Sequence, residues 1–187
     1  MKTSARLILT ILIIGLMLGY ASDVFADSIS GKGDNNKPLE LKVKNGKVTF
    51  SKCVGTCTVT DIDPTTMTTE KPLRPWQVQK GITLTKIGLQ VSLTDSRNKI
   101  TNLNTADHVV CLNYTDEMMK TAGGQGNIRV AYWDPAISNC HNETGKPCKS
   151  VKGQWHILNT TYESPKQACA RLRLAAPFAL VTVKKSK

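Results

Sequence analysis

The sequence contains few of the residues that catalysis or metal binding requires. Three histidines are present, and no Gly-x-Ser-x-Gly or other nucleophile motif accompanies them. No Cys-x-x-Cys occurs, which removes the usual spacing of a zinc site. The glycine-rich residues 123–126 follow a predicted helix rather than open one, so they do not resemble a phosphate-binding loop. We therefore predict that the protein is not an enzyme and has no cofactor.

Long apolar runs are also scarce. Only residues 7–21 form one, and it is shorter than the roughly 20 residues of a transmembrane helix. Basic residues precede it, and Val24-Phe25-Ala26 places small residues where signal peptidase cleaves, before Asp27. We expect residues 1–26 to be a signal peptide, with no membrane insertion after cleavage; a retained anchor is the alternative. The expected location is secreted, extracellular or cell-envelope, which means periplasmic in a bacterium with two membranes.

Cysteines are few, but their number is even and all six follow the predicted cleavage point. In an exported chain this indicates three disulfides, although their connectivity cannot be deduced from the sequence alone. Proximity along the chain favours Cys53 with Cys57, Cys140 with Cys148, and then Cys111 with Cys169. The last pair closes the longest loop and should stabilise the fold most, by about 4 kcal/mol against about 2 kcal/mol for the shortest loop.

Alternating apolar and polar residues predict a mostly β protein. Residues 39–44 and 47–51 both alternate and flank Asn45-Gly46, the strongest short hairpin signal. Further strands are predicted at 56–62, 81–94, 109–112, 128–133, 154–158, 170–174 and 178–183. Thr115 should cap a single short helix, Asp116 to Ala122, before Gly123. The fold class is therefore all-β, a single disulfide-stapled β sandwich of about nine short strands at residues 39–187, after a flexible leader at 27–38.

Two groups of residues offer metal ligands as alternatives. Cys140, His141 and Cys148 supply sulfur and imidazole atoms within a short segment, but oxidation of the two thiols would remove them as zinc ligands. Asp61 and Asp63 have carboxylate oxygens, with Glu70 downstream, but the glycine of a calcium loop is missing. The favoured interpretations are structural: Cys140 and Cys148 form a disulfide, and the aspartates form turns.

Only ten residues are aromatic, so most of them should be needed for a core. Trp76, Trp133 and Trp155 are the candidate ligand surface, because aromatic faces commonly hold sugars and peptides. Trp76 lies in a proline-rich segment and is the least easily explained by packing. Asn113, Asn142 and Asn159 begin glycosylation sequons, which matter only in a host that glycosylates exported proteins.

Residues 128–183 resemble the proteolysis-site segment that ends the GAIN domain of adhesion receptors. The shared features are Tyr132-Trp133-Asp134, Trp155, Cys169 and a closing strand at 178–181. The resemblance implies a β sandwich whose last strand lies between neighbouring strands. That family cleaves itself at a His-Leu-Ser/Thr step, and residues 172–177 contain neither the base nor the nucleophile. Without them, self-cleavage is not expected. The family's paired cysteines also have no counterparts near Val130 or just after Trp155.

Three functions follow as hypotheses from these patterns. The first is a non-catalytic secreted or cell-envelope module that binds an extracellular protein or glycan through loops. The second is a secreted hydrolase or metal-dependent enzyme centred on His141. The third is a cationic protein that binds anionic surface polymers, since the formal net charge is +11 and lysines are dense at residues 184–187. The alternative interpretation of the same lysines is that their charge keeps the protein in solution and protects strand edges from pairing. The oligomeric state stays open.

Overall fold

The computed structural model describes residues 27–33, 37–53, 55–94, 107–134 and 153–184. The predicted signal peptide and the predicted Cys140–Cys148 bridge, with His141 and Asn142, lie outside these residues. The described chain forms eleven strands: β1 Ser28–Lys32, β2 Leu39–Val43, β3 Gly46–Phe50, β4 Thr56–Ile62, β5 Ile82–Thr94, β6 His108–Asn113, β7 Ile128–Asp134, β8 Gln154–Ile157, β9 Thr161–Glu163, β10 Gln167–Leu172 and β11 Pro177–Val183. Its two α-helices are α1, Pro75–Gln79, and α2, Asp116–Ala122.

The strands pair antiparallel in two sheets. The six-stranded sheet has the order β1-β4-β5-β11-β7-β8, and the five-stranded sheet has the order β2-β3-β6-β10-β9. Apolar residues from both sheets form one buried cluster, which includes Phe50 and Val110 from the smaller sheet and Leu89, Val130 and Phe178 from the larger. The arrangement is β-sandwich-like, as the alternating pattern predicted.

The β2–β3 hairpin forms as predicted and is anchored to the other sheet. The Asp61 carboxylate on β4 accepts hydrogen bonds from the amides of Lys44 (3.1 Å) and Asn45 (2.9 Å). Burial raises the pKa of Asp61 despite these two bonds. Glycine is required at position 46, because a Cβ there would lie 2.0 Å from the Cys111 carbonyl oxygen. Asp61 is therefore a turn-anchoring residue.

Two disulfides join described residues in the pairs that proximity along the chain favoured. Cys53 bonds to Cys57, and Cys111 bonds to Cys169 across the neighbouring strands β6 and β10. Disulfides persist in oxidising compartments, which is consistent with export. Neither helix in the described part of the chain has the length and apolar character needed to cross a bilayer.

The structure differs from the prediction in three elements. Residues 28–32 were predicted as part of a flexible leader but form β1. Ile29 packs on the core, and two pairs of hydroxyl groups join β1 to β4. These pairs are Ser28 with Thr60 (2.9 Å) and Ser30 with Thr58 (2.7 Å). The three-residue strand β9 was too short for its pattern to show. Helix α1 falls where a loop was predicted to end, whereas α2 has the predicted bounds, with the Thr115 hydroxyl accepting from the amide of Met118 (3.2 Å).

Candidate functional site

The outer face of the six-stranded sheet carries a second, smaller apolar cluster. Its buried members come from β5, β7, β8 and β11: Ile82, Leu84, Ala131, Trp133, Trp155, Ala179 and Val181. β5, β7 and β11 also contribute alternate residues to the main core, since side chains alternate between the faces of a sheet. A sheet that is apolar on both faces needs a second cover, and the chain between β4 and β5 supplies it.

Trp133 and Trp155 form the centre of this outer cluster. They lie opposite each other on β7 and β8, with ring centroids 5.6 Å apart in an edge-to-face arrangement, and both are buried. A Cβ on Gly153 would lie 2.6 Å from the Trp133 ring, so the pair requires a glycine there. The indole Nε1 of Trp155 donates to the Lys71 carbonyl oxygen at 2.9 Å. Both tryptophans therefore lie beneath the chain segment that covers this outer cluster, and neither is exposed as a ligand surface.

Helix α1 is held on the outer edge of β8 by side-chain hydrogen bonds to backbone atoms. The buried Gln77 amide donates to the Trp155 carbonyl oxygen (2.6 Å) and accepts from the Arg74 backbone amide (2.9 Å). The Arg74 guanidinium donates to the Gly153 carbonyl oxygen. Two carbonyl groups at the edge of β8 are thereby satisfied within the chain.

This packing leaves three large apolar side chains exposed on α1 and at the end of β8. Trp76 and Val78 on α1 are 44% and 58% exposed, and Ile157 at the end of β8 is 40% exposed. In the described part of the chain, no other large apolar residue is classed as exposed. We call Trp76, Val78 and Ile157 the apolar patch.

A cavity of about 270 Å³ lies at the apolar patch. Trp76, Lys80, Ile82, His156, Ile157 and Val183 are among its lining residues, and Trp155 contributes to its wall. The Lys80 ammonium lies 5.2 Å from the centroid of the Trp76 ring, a cation–π distance. The cavity thus combines aliphatic residues, two tryptophans, a histidine and a positively charged lysine.

A polar group lies beside the cavity around His156. Its imidazole stacks on the Tyr132 ring with centroids 5.4 Å apart, and its Nε2 atom lies 3.2 Å from Asp134 Oδ2. Burial, and then the Asp134 charge, raise the pKa of the Tyr132 hydroxyl. Within the described residues, the polar neighbours of His156 Nε2 are Gln154 and Asp134, and the nucleophile–base contact of an acyl-transfer site is not formed there.

The remaining ligand-like groups of the described residues have structural roles. Cys111, Cys169 and Glu163 bring potential ligand atoms within 4.8 Å of one another, but the two sulfurs are bonded to each other and supply no thiolate. Asp63 caps a 3₁₀ turn by accepting from the Thr65 amide at 2.9 Å. His108 is buried, with its ring 5.5 Å from that of Phe50 and 5.8 Å from that of Phe178.

Of the three tryptophans predicted as the ligand surface, only Trp76 is exposed. Lys80, Val78 and Ile157 were not identified from the sequence, because isolated aliphatic and basic residues carry no motif. One local signal was available, since Pro75 is at the start of α1, a position that proline favours.

Models of known protein families gave no match to the chain, and neither did a search of curated protein sequences.

Proposed function

We propose that this chain is a non-catalytic module of an exported protein, which binds an extracellular or envelope partner on the apolar patch. The observation that carries the proposal is that Trp76 and Ile157 are both exposed and line the same cavity, with Val78 also exposed on the helix of Trp76. Exposed apolar side chains scattered singly are ordinary, whereas a group of them beside a preformed cavity is typical of an interaction site. The two disulfides support the exported location.

The architecture supports the same proposal. A sandwich fixed by a core between its sheets, with α1 tied to an edge strand, presents Trp76 on a rigid base, which lowers the entropic cost of binding. The resemblance of residues 128–183 to the GAIN segment is kept as a hypothesis about architecture. In its favour, β11 lies between β5 and β7 in the sheet. It adds no cleavage activity, since residues 172–177 lack the necessary side chains.

Binding to envelope and extracellular material from the protein's own host tests this function. We compare the wild type with the double variant Trp76→Ala and Ile157→Ala, after checking that far-UV circular dichroism is unchanged. The bound fraction should fall at least about tenfold, because central aromatic and aliphatic anchors commonly contribute over 1 kcal/mol each. Val109→Ala, which removes an aliphatic side chain from the other sheet, is the control. Equal binding of the double variant and wild type, or reproducible turnover of a substrate by the purified protein, contradicts the proposal.

A further inference from the structure

Two lysines lie in the lining of the cavity or next to it along the chain, and a carboxylate, that of Asp134, lies 3.2 Å from the Nε2 atom of the lining residue His156. Lys80 lines the cavity, and Lys184 follows the lining residue Val183, with its backbone amide donating to the Gly81 carbonyl oxygen at 3.1 Å. Within the described residues, neither Lys80 nor Lys184 takes part in an ion pair, whereas Lys71 nearby is paired with Glu70. A partner that fits this rim carries negative charge.

The shape of the site indicates a side chain as the bound group. A cavity of about 270 Å³ can accommodate one aliphatic or aromatic side chain, and Ile82, Ile157 and Val183 offer it apolar walls. A flat bilayer surface would leave such a concave site unfilled. We favour a side chain over a sugar because three of the lining residues are aliphatic and the Lys80 ammonium already interacts with the Trp76 ring.

The edge of β8 excludes one mode of peptide binding. An added strand would need the carbonyl groups of Gly153 and Trp155, and both already accept hydrogen bonds from Arg74 and Gln77. The partner must therefore be recognised through its side chains.

We propose that the apolar patch binds an acidic protein segment, which inserts one apolar anchor side chain into the cavity and places neighbouring carboxylates against Lys80 and Lys184. This inference rests on the proposed function and specifies the chemistry of the partner. The two contributions are separable: the anchor supplies most of the affinity by apolar burial, and the lysines supply charge selectivity and dependence on salt.

A titration followed by ¹H–¹⁵N NMR tests the inference with defined probes. The first probe is a peptide with leucine at the centre of six glutamates, and the matched probes replace the leucine by serine or the glutamates by lysines. The leucine–glutamate peptide should shift the Trp76 indole and Ile157 amide resonances with saturation. The serine peptide should bind about tenfold more weakly, as expected for losing one buried aliphatic side chain. The lysine peptide should cause no shift.

The protein's own variants complete the test. The double variant Lys80→Ala and Lys184→Ala should weaken binding of the leucine–glutamate peptide about threefold to tenfold, with the difference from wild type shrinking as salt is raised. The double variant Lys52→Ala and Lys86→Ala removes the same charge elsewhere and should bind as wild type does. Equal affinities for the leucine and serine peptides, or no shift at Trp76, would overturn the inference.

A final comparison distinguishes failure of this inference from failure of the proposed binding function. If host material binds through Trp76 and Ile157 but is insensitive to the Lys80 and Lys184 substitutions and to competing acidic peptide, the binding function stands and the acidic partner is wrong. Vesicles of equal phosphatidylglycerol and phosphatidylcholine are the other probe. Binding to them that depends on Trp76 and resists the acidic peptide would assign the patch to a lipid surface and overturn the inference.

Discussion

At the scale of single residues, the Cys111–Cys169 bridge carries the largest expected effect on stability. It joins directly opposed residues of β6 and β10, with Cα atoms 4.0 Å apart and a sequence separation of 58. The Cys53–Cys57 bridge spans a sequence separation of only 4. In the chain-entropy model, the long loop restricts the unfolded chain far more than the short one does.

We therefore predict that replacing Cys111 and Cys169 together by alanine lowers the free energy of unfolding by about 4 kcal/mol. Replacing Cys53 and Cys57 together by alanine should lower it by about 2 kcal/mol. Urea unfolding of both double variants and the wild type measures the difference. A larger loss in the Cys53 and Cys57 variant would show that loop length does not determine the contribution of these bridges.

The tryptophans show what residue-level reasoning on the sequence could and could not predict. Trp76, Trp133 and Trp155 are identical in type, and a sequence motif does not distinguish a buried ring from an exposed one. Trp133 and Trp155 are buried because β7 and β8 place them opposite each other beneath α1, a contact made by residues far apart along the chain. Trp76 was singled out because it lies in a proline-rich segment, and it is the exposed tryptophan of the three.

At the scale of elements, α1 depends on one buried polar side chain. Gln77 is fully buried, and its amide group serves both the Trp155 carbonyl and the Arg74 amide. A helix of five residues has too few internal hydrogen bonds to be stable alone. Its position on β8 is therefore maintained by these contacts.

Gln77→Ala should lower the free energy of unfolding by about 1 to 3 kcal/mol, because it leaves the buried Trp155 carbonyl and the part-buried Arg74 amide without their partner. Gln79→Ala, an exposed position on the same helix, should change it by less than about 0.5 kcal/mol. Urea unfolding of the two variants beside the wild type makes the comparison. If both variants behave alike, the Gln77 contacts do not hold α1 in place.

The elements also show where local patterns suffice. The β2–β3 hairpin and α2 were predictable because alternation, Asn45-Gly46 and the Thr115 cap are encoded within a few residues. β1 was missed because Ser-Ile-Ser-Gly-Lys offers one apolar residue, and its pairing with β4 depends on partners about 30 positions away. α1 was missed because a buried glutamine and an exposed tryptophan reverse the expected amphipathic pattern.

At the scale of the whole molecule, the main core and the outer cluster share their backbone. Neighbouring residues of β7 and β11 point into different clusters: Val130 and Leu180 into the core between the sheets, and Ala131 and Ala179 into the outer cluster. Loss of the main core would therefore displace the strands that carry Trp133. The reverse dependence is weaker, because the outer cluster is smaller and is covered by a short segment.

This asymmetry predicts how the protein unfolds in urea. In a Trp76→Phe background, tryptophan fluorescence reports on Trp133 and Trp155, and far-UV circular dichroism reports on the sheets. The two midpoints should coincide, because a shared backbone makes unfolding cooperative. Adding Gln77→Ala should move the fluorescence midpoint to lower urea than the circular dichroism midpoint, since α1 then leaves the Trp155 edge before the sheets separate. If the fluorescence and circular dichroism midpoints differ without the Gln77→Ala substitution, the outer cluster unfolds independently of the sheets. The residues beneath the apolar patch would then unfold before the rest of the protein.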